Sequence, residues 1–456
     1  MSDNDWISVL NLQPPDINFR LHLIFPLDED VRDERIAEAL LKALKGLFRE
    51  NPVLTTWVER SAEGSSVYSF CQTPQSERGD VPILRAAKVH HASFQVPSFE
   101  ELKRAGATLD LLSDSDLTPQ PRYAQGVGPH PTFDFRASRI KGGLVLCFSI
   151  VHKVLDGTST ATIIHKFAQE SLKSSTSLPG TEESVLSRDG MIVPLLELPL
   201  PDNATDVVEP PAPYRLLPET SKAPDPTDAV CKFFVIPQHK LAALKRACSG
   251  ASTGFISTND AVSALIMHAL TRARRLTPTD TPTVGAHFPV NVRAKLSPGM
   301  ADTQLGNFVL CARAALPTAQ AQSAAPGALA ASAALIRGAV AGLDAQRVAR
   351  VLRWVVAQPD PANGVDWRYA YYGDPFVDYG LVSWVNMGVY DTEFELGARV
   401  KPAFVRVPGD VVFRGSCRIM PRFADGSQEL IMGLSKAEME ALEADELWKE
   451  WVERIK

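Results

Sequence analysis

Basic charge is in short supply. Lysine and arginine number 47 against 53 aspartates and glutamates, leaving a net charge of −6. No basic stripe runs along the chain, so the electrostatic footprint of a nucleic-acid binder is missing. Nothing draws the chain to an anionic membrane surface either. Cysteine is sparse and scattered over Cys71, Cys147, Cys231, Cys248, Cys311 and Cys417. No two stand at C-x-x-C spacing, which argues against a zinc site or a disulfide framework. Cys147 falls within an apolar run, where a buried free thiol is the expectation. No run reaches the ~18 apolar residues that a bilayer span needs. The opening stretch MSDNDWISVL has neither a basic n-region nor an apolar core, so no secretory leader is expected. The sequon Asn203-Ala204-Thr205 is then expected to stay unused. A reducing, cytoplasmic setting follows as the expectation. A G-x-S-x-G elbow is lacking, which disfavours serine-hydrolase chemistry. A phosphate-binding G-x-x-x-x-G-K-S/T loop is lacking too, which disfavours use of ATP.

What is present is an ordinary globular composition, 45% hydrophobic and 22% charged, over 456 residues. That length exceeds one core and predicts about two domains. The pattern mixes strands and helices. Residues 17–25 alternate as a strand, and 33–50 read as an amphipathic helix with Ile36, Leu40, Leu44, Leu47 and Phe48 on one stripe. Asn51-Pro52 ends it. Residues 131–140 and 142–151 read as strands joined by a short turn. The second is apolar on both faces, which predicts a central strand. A helix is expected from Thr158 to Leu172. Residues 173–228 turn Ser-, Pro-, Asp- and Thr-rich and read as a connector. A second half follows, with a strand at 230–236. A helix at 258–275 is opened by Ser257 and Asp260 in a capping-box pattern, and Val262, Leu265, Ile266, Ala269 and Leu270 form its apolar face. A strand is expected at 284–292. Ala-rich residues 312–358 read as mostly helical. Strands are expected near 380–390, 402–407, 411–420 and 428–434, and Ser435 with Glu438 opens a last helix. The expected division is 1–180, a linker at 181–228, and 229–456.

The segment that carries chemistry is Ile150-Val151-His152-Lys153-Val154-Leu155-Asp156-Gly157-Thr158-Ser159. A buried strand ends at a histidine, and Asp-Gly four residues later opens a helix. Such a junction holds side chains rigidly at a mouth. A neutral imidazole there can take the proton of a hydroxyl or amine attacking a carbonyl, and a thioester is reactive enough to need no covalent enzyme intermediate. Asp156 has two readings: it orients the imidazole, or it turns inward to pair with an arginine and fix the turn, the favoured alternative. Gly157 permits close backbone approach, and Thr158 or Ser159 is the expected helix cap. Taken alone, His152 is more often a satisfied polar group than a base. His90-His91 reads as exposed, His268 as packing or surface, and Arg20, Arg136 and Arg414 as solvated or structural. His287 is a candidate lining residue. Ser383, Trp384 and Asn386 are candidates for holding an oxyanion or walling a pocket, with Trp384 as core the plainer account.

The junction resembles the H-x-x-x-D-G motif of the BAHD acyltransferases, which share their fold with the condensation domains of nonribosomal peptide synthetases. Five further stretches resemble the same family in the same order. These are residues 36–55 with Asn-Pro-Val-Leu; Ile256-Ser257-Thr258-Asn259-Asp260-Ala261 with Arg272-Ala273-Arg274; and Pro289-Val290-Asn291-Val292-Arg293 with Leu305-Gly306-Asn307. Ser383-Trp384 with Tyr390-Asp391 comes next, and Ile419-Met420-Pro421-Arg422 with Asp425-Gly426 and the final helix closes the series. The second and the last look most like the fungal secondary-metabolism branch. The resemblance implies two chloramphenicol-acetyltransferase-like α/β domains, with mixed sheets flanked by helices and a channel between them. It places His152 in mid-channel, with acyl-CoA and a small-molecule acceptor arriving from opposite faces. It implies a monomer with no bound cofactor or metal and acyl-CoA as co-substrate. Arg293 becomes the candidate ion partner of Asp156, or of Glu393 in the C-terminal motif. That motif departs from the family's D-F-G-W-G, reading Glu393-Phe394-Glu395-Leu396-Gly397. The departure bears on the CoA side, so an acyl-carrier-protein donor or a channel reused for cyclisation is the second reading. A non-catalytic binding protein is the third.

Overall fold

A computed structural model describes residues 17–454, apart from 61–67, 72–73, 78–80, 113–114, 121–127, 174–208, 218–228, 251–253, 298, 301–302, 326, 362 and 408–413. The chain divides into two compact units. The first takes Met1–Glu197 with Ala301–Asn307 and Gly388–Val411; the second takes Leu198–Met300, Phe308–Met387 and Val412–Lys456. Both are α/β, built on mixed sheets flanked by helices.

The first unit centres on a five-stranded sheet in the order Phe404–Arg406, Asn18–Pro26, Gly143–Val151, Phe133–Ile140, Val89–His91, antiparallel except for its last pair. Every residue of Gly143–Val151 is buried, as its unbroken apolar run predicts. Lys141-Gly142 makes the turn before it, and Gly142 takes φ +71°, a conformation that favours glycine. The helices Asp33–Glu50 and Gly157–Leu172 pack together. The predicted stripe Ile36, Leu40, Leu44, Leu47 and Phe48 is buried throughout. Aromatic rings tie one sheet face to the Gly157–Leu172 helix: Phe148 meets Phe135 at 5.1 Å and Phe167 at 5.5 Å, and Phe394 meets Phe25 at 5.0 Å.

The second unit is built on seven strands ordered Val309–Pro317, Thr283–Asn291, Tyr379–Ser383, Ser416–Ile419, Gln428–Ser435, Ala229–Ile236, Glu453–Arg454. Tyr379–Ser383 is parallel to both of its neighbours. The helix Thr258–Ala273 is buried on nearly every side, and its capping box of Ser257 and Asp260 is formed. The box of Ser435 and Glu438 is formed as well.

Residues 312–358 are mostly helical, as expected, except that 312–317 close the strand Val309–Pro317, which pairs antiparallel with Thr283–Asn291. Weak alanine propensity yields there to cross-strand pairing and burial. Helices resume at Ala328–Ala341 and Ala345–Val356. The expected division put everything after 229 in the second half, yet 301–307 and 388–411 belong to the first unit. The reason is pairing: His22, Leu23 and Ile24 sit opposite Arg406, Val405 and Phe404. Most of the expected linker, residues 181–208 and 218–228, lies outside the described residues. Among the described residues no single helix is long and apolar enough to cross a membrane.

Candidate active site

Strand pairing delivers His152 to its place. Asn18 pairs with Val151 at the end of the ladder, and the His152 N–H donates to the Ile17 carbonyl at 3.0 Å, carrying the ladder one residue further. The chain then turns, with Val154 and Leu155 N–H both donating to the Val151 carbonyl at 2.9 and 3.2 Å. Asp156 follows in an extended conformation and caps the helix Gly157–Leu172, its Oδ1 accepting from Ser159 N–H at 2.7 Å. Asp156 is therefore the N-cap that was expected at Thr158 or Ser159. Its side chain is wholly buried, and its Oδ1 is committed to the helix terminus.

The His152 residue is half-buried. Its Nδ1 is buried with no hydrogen-bond partner, and its ring lies 5.5 Å from that of Phe19, tilted by 58°. Burial holds the imidazole below its ordinary pKa of 6.5, assisted by Lys153. The residue's own backbone, the Asp156 carboxylate and the Leu155 backbone pull the other way. Burial prevails, so the ring is neutral at pH 7 with a lone pair to receive a proton.

A second segment meets the junction from far along the chain. Gly306 accepts Asp156 N–H at 3.1 Å and Ser159 Oγ at 2.7 Å, while its own N–H donates to Ser159 Oγ at 3.0 Å. Asn307 Nδ2 donates to the His152 carbonyl at 3.0 Å. Neither these contacts nor the place of Phe19 beside the ring is legible from sequence. Gly306 and Asn307 stand in a family-like motif, but no local pattern pairs them with residues some 147 positions earlier.

Arg293, His287, Ser383, Trp384 and Asn386 belong to the second unit. Gly157 begins the capped helix. Arg293 is fully buried in the second unit; its N–H and Nη1 reach Asn291 Oδ1 at 3.1 and 3.2 Å, and its guanidinium lies over Phe308. Glu393, expected to pair with Arg293, is ion-paired with Arg399 at 3.7 Å, with both side chains substantially exposed. His287 is corrected from lining residue to core: it is wholly buried, with Nδ1 2.8 Å from the Ala370 carbonyl and Nε2 3.5 Å from Asp378. Burial would raise the Asp378 carboxyl, but His287 and Arg313 overcome it and hold the group down at about 2. Trp384 is core, with Arg418 over its ring. Ser383 is exposed and donates to Asn259 Oδ1 at 2.7 Å, and Asn386 is exposed. His91 meets Asp33 at 2.7 Å on the surface. His268 packs against Ser332. Arg414 is structural, bonded to Glu438, and Arg20 is buried beside Gln120. Among the described residues no cluster of His, Cys, Asp or Glu gathers to hold a metal.

Fold and junction together describe a two-unit α/β protein carrying a histidine where a central strand passes into a capped helix. The chain belongs to the Transferase family, the BAHD acyltransferases, whose sequence profile matches residues 92–447, and it is similar to fungal members. It is 27% identical to O-acyltransferase pigD of Monascus ruber over 94% of each chain. It is 26% identical to trichothecene 3-O-acetyltransferase TRI101 of Fusarium sporotrichioides, over 98% of this chain and 96% of that one. The solved structure of F. sporotrichioides TRI101 complexed with coenzyme A and T-2 matches with a TM-score of 0.79 at 22% identity, covering 100% of both chains. Vinorine synthase matches with a TM-score of 0.62 at 16% identity, over 97% of this chain and 92% of its own.

Proposed function

We propose that this enzyme transfers an acyl group from acyl-CoA to a hydroxyl of a small secondary metabolite, with His152 as the general base. The imidazole takes the hydroxyl proton as the oxygen attacks the thioester carbonyl. The C–S bond then breaks, the ester forms, and the proton passes to the departing CoA sulfur. No covalent enzyme intermediate is required. The observation that carries the reading is the half-buried, neutral His152 ring, whose own carbonyl is held from outside the junction. The donor is inferred from TRI101, solved with coenzyme A and T-2. The preference for oxygen over nitrogen follows the names of pigD and TRI101 as O-acyl- and O-acetyltransferases.

The test is turnover of acetyl-CoA by the full chain with a panel of hydroxylated polycyclic acceptors, read by thiol release and by the mass of the product. His152→Ala is expected to lower kcat by about 10²-fold or more while the melting temperature stays near wild type. A fully active variant removes the mechanism. Turnover from an acyl-carrier-protein thioester alone replaces CoA as donor.

A further inference from the structure

We propose that Asn307 and Ser159 are positioning residues for the base, with Asn307 holding the His152 backbone and Ser159 locking Gly306 beside it. The inference rests on His152 being the base. Three junction residues, His152, Asp156 and Ser159, each bond to the dipeptide Gly306-Asn307. Ser159 is wholly buried and Asn307 nearly so. The Ser159 bonds to Gly306 therefore lie away from water, and the Asn307 bond to His152 is partly shielded from it; each fixes a geometry, and its loss leaves a polar group poorly satisfied. Ser159 Oγ both donates to the Gly306 carbonyl and accepts from its N–H. Two bonds between one side chain and one peptide residue fix position and rotation together. Gly306 has φ +148°, a conformation L side chains rarely adopt, so the tight approach depends on glycine at this position.

Asn307 acts on the base itself. Of the groups that favour a charged His152 ring, the largest is the residue's own backbone; only its carbonyl, an acceptor, can act in that direction. Asn307 Nδ2 donates to that same carbonyl and occupies one of its two lone pairs, leaving less acceptor capacity for an imidazolium. The bond thus fixes the backbone from which the ring projects and favours the ring's uncharged form. The charged groups facing the ring are Asp156, which favours protonation, and Lys153, which opposes it.

The experiment compares wild type, Asn307→Ala, the isosteric Asn307→Asp and Ser159→Ala. Steady-state kinetics with acetyl-CoA are paired with an NMR titration of 13C-labelled histidine, in which His152→Ala assigns the resonance. Asn307→Ala is expected to lower kcat about tenfold or more with KM for acetyl-CoA within about twofold, as for a displaced catalytic group. Its His152 resonance is expected to titrate at higher pH than in wild type. Asn307→Asp, with a carboxylate in place of the donor, moves it further, by about half a unit or more. Ser159→Ala is expected to lower kcat in the same sense. A folded Asn307→Ala with kcat within about twofold of wild type, or with an unmoved His152 titration, overturns the proposal; where Asn307→Ala does not fold, Asn307→Asp decides by the same readouts. If His152→Ala is inactive while the Asn307 variants behave as wild type, the clamp alone fails. If His152→Ala is active, the function proposed above fails with it.

Discussion

Asp156 illustrates how one residue of a family motif can act on structure. Its Oδ1 accepts the Ser159 N–H inside a sealed environment. Asp156→Ala is expected to lower unfolding free energy by at least about 1–2 kcal/mol, the usual effect of losing an N-cap, measured by denaturant titration. The accompanying loss of activity should follow the folded fraction. At this scale the place of His152 was legible in the sequence because it comes with a local signature, an apolar strand followed by Asp-Gly. His287 was not. Its position before Val-Asn-Val-Arg allowed either a lining or a packing role. Only the carbonyl of Ala370 and the carboxylate of Asp378, both more than 80 residues away in sequence, show it to be core. Phe19 was equally silent, being one more apolar residue in an alternating strand.

Among the elements, those with internal signatures were readable. The stripe of residues 33–50 and the boxes at Ser257 and Ser435 are local chemistry, and each formed as expected. Residues 312–358 are mostly helical as their composition predicts, but 312–317 pair as strand, because alanine states a preference too weak to resist a neighbouring strand. The altered C-terminal motif divides into two kinds of position. Phe394 and Leu396 are fully buried, Phe394 joining Phe25 and Phe167, whereas Glu393 is paired near the surface with Arg399. Phe394→Ala is therefore expected to cost about 3–5 kcal/mol of stability, and Glu393→Gln less than about 1 kcal/mol with kcat unchanged. A Glu393→Gln variant that folds normally but turns over slowly would give that carboxylate a chemical role.

For the whole molecule, acid is the vulnerable side. Burial lowers His22 from 6.5 to about 3, with Arg20 adding to the effect, and lowers His268 to about 4. Both are uncharged in the folded chain well below the pH at which the unfolded chain protonates them. Between pH 6.5 and these values the unfolded state binds more protons, so stability falls as pH falls. Asp378, held at about 2 against an ordinary 3.8, continues the trend below pH 4. Denaturant midpoints measured from pH 7 to pH 4 should decline steadily, and His268→Gln should flatten the slope. A midpoint independent of pH across that range would show that these rings gain protons without unfolding the chain. The presence of two units was legible from length alone, but their membership was not. Which distant strand completes a sheet depends on pairing between residues such as His22 and Arg406, and a sequence read in order carries no sign of it.

That interleaving bears on biosynthesis. The sheet behind His152 gains its edge strand only when Phe404–Arg406 has been made, and the clasp on the histidine's carbonyl arrives only with Asn307. A nascent chain lacks the pieces that complete its leading half until Arg406 has been made. An isolated N-terminal fragment would carry the motif without these restraints.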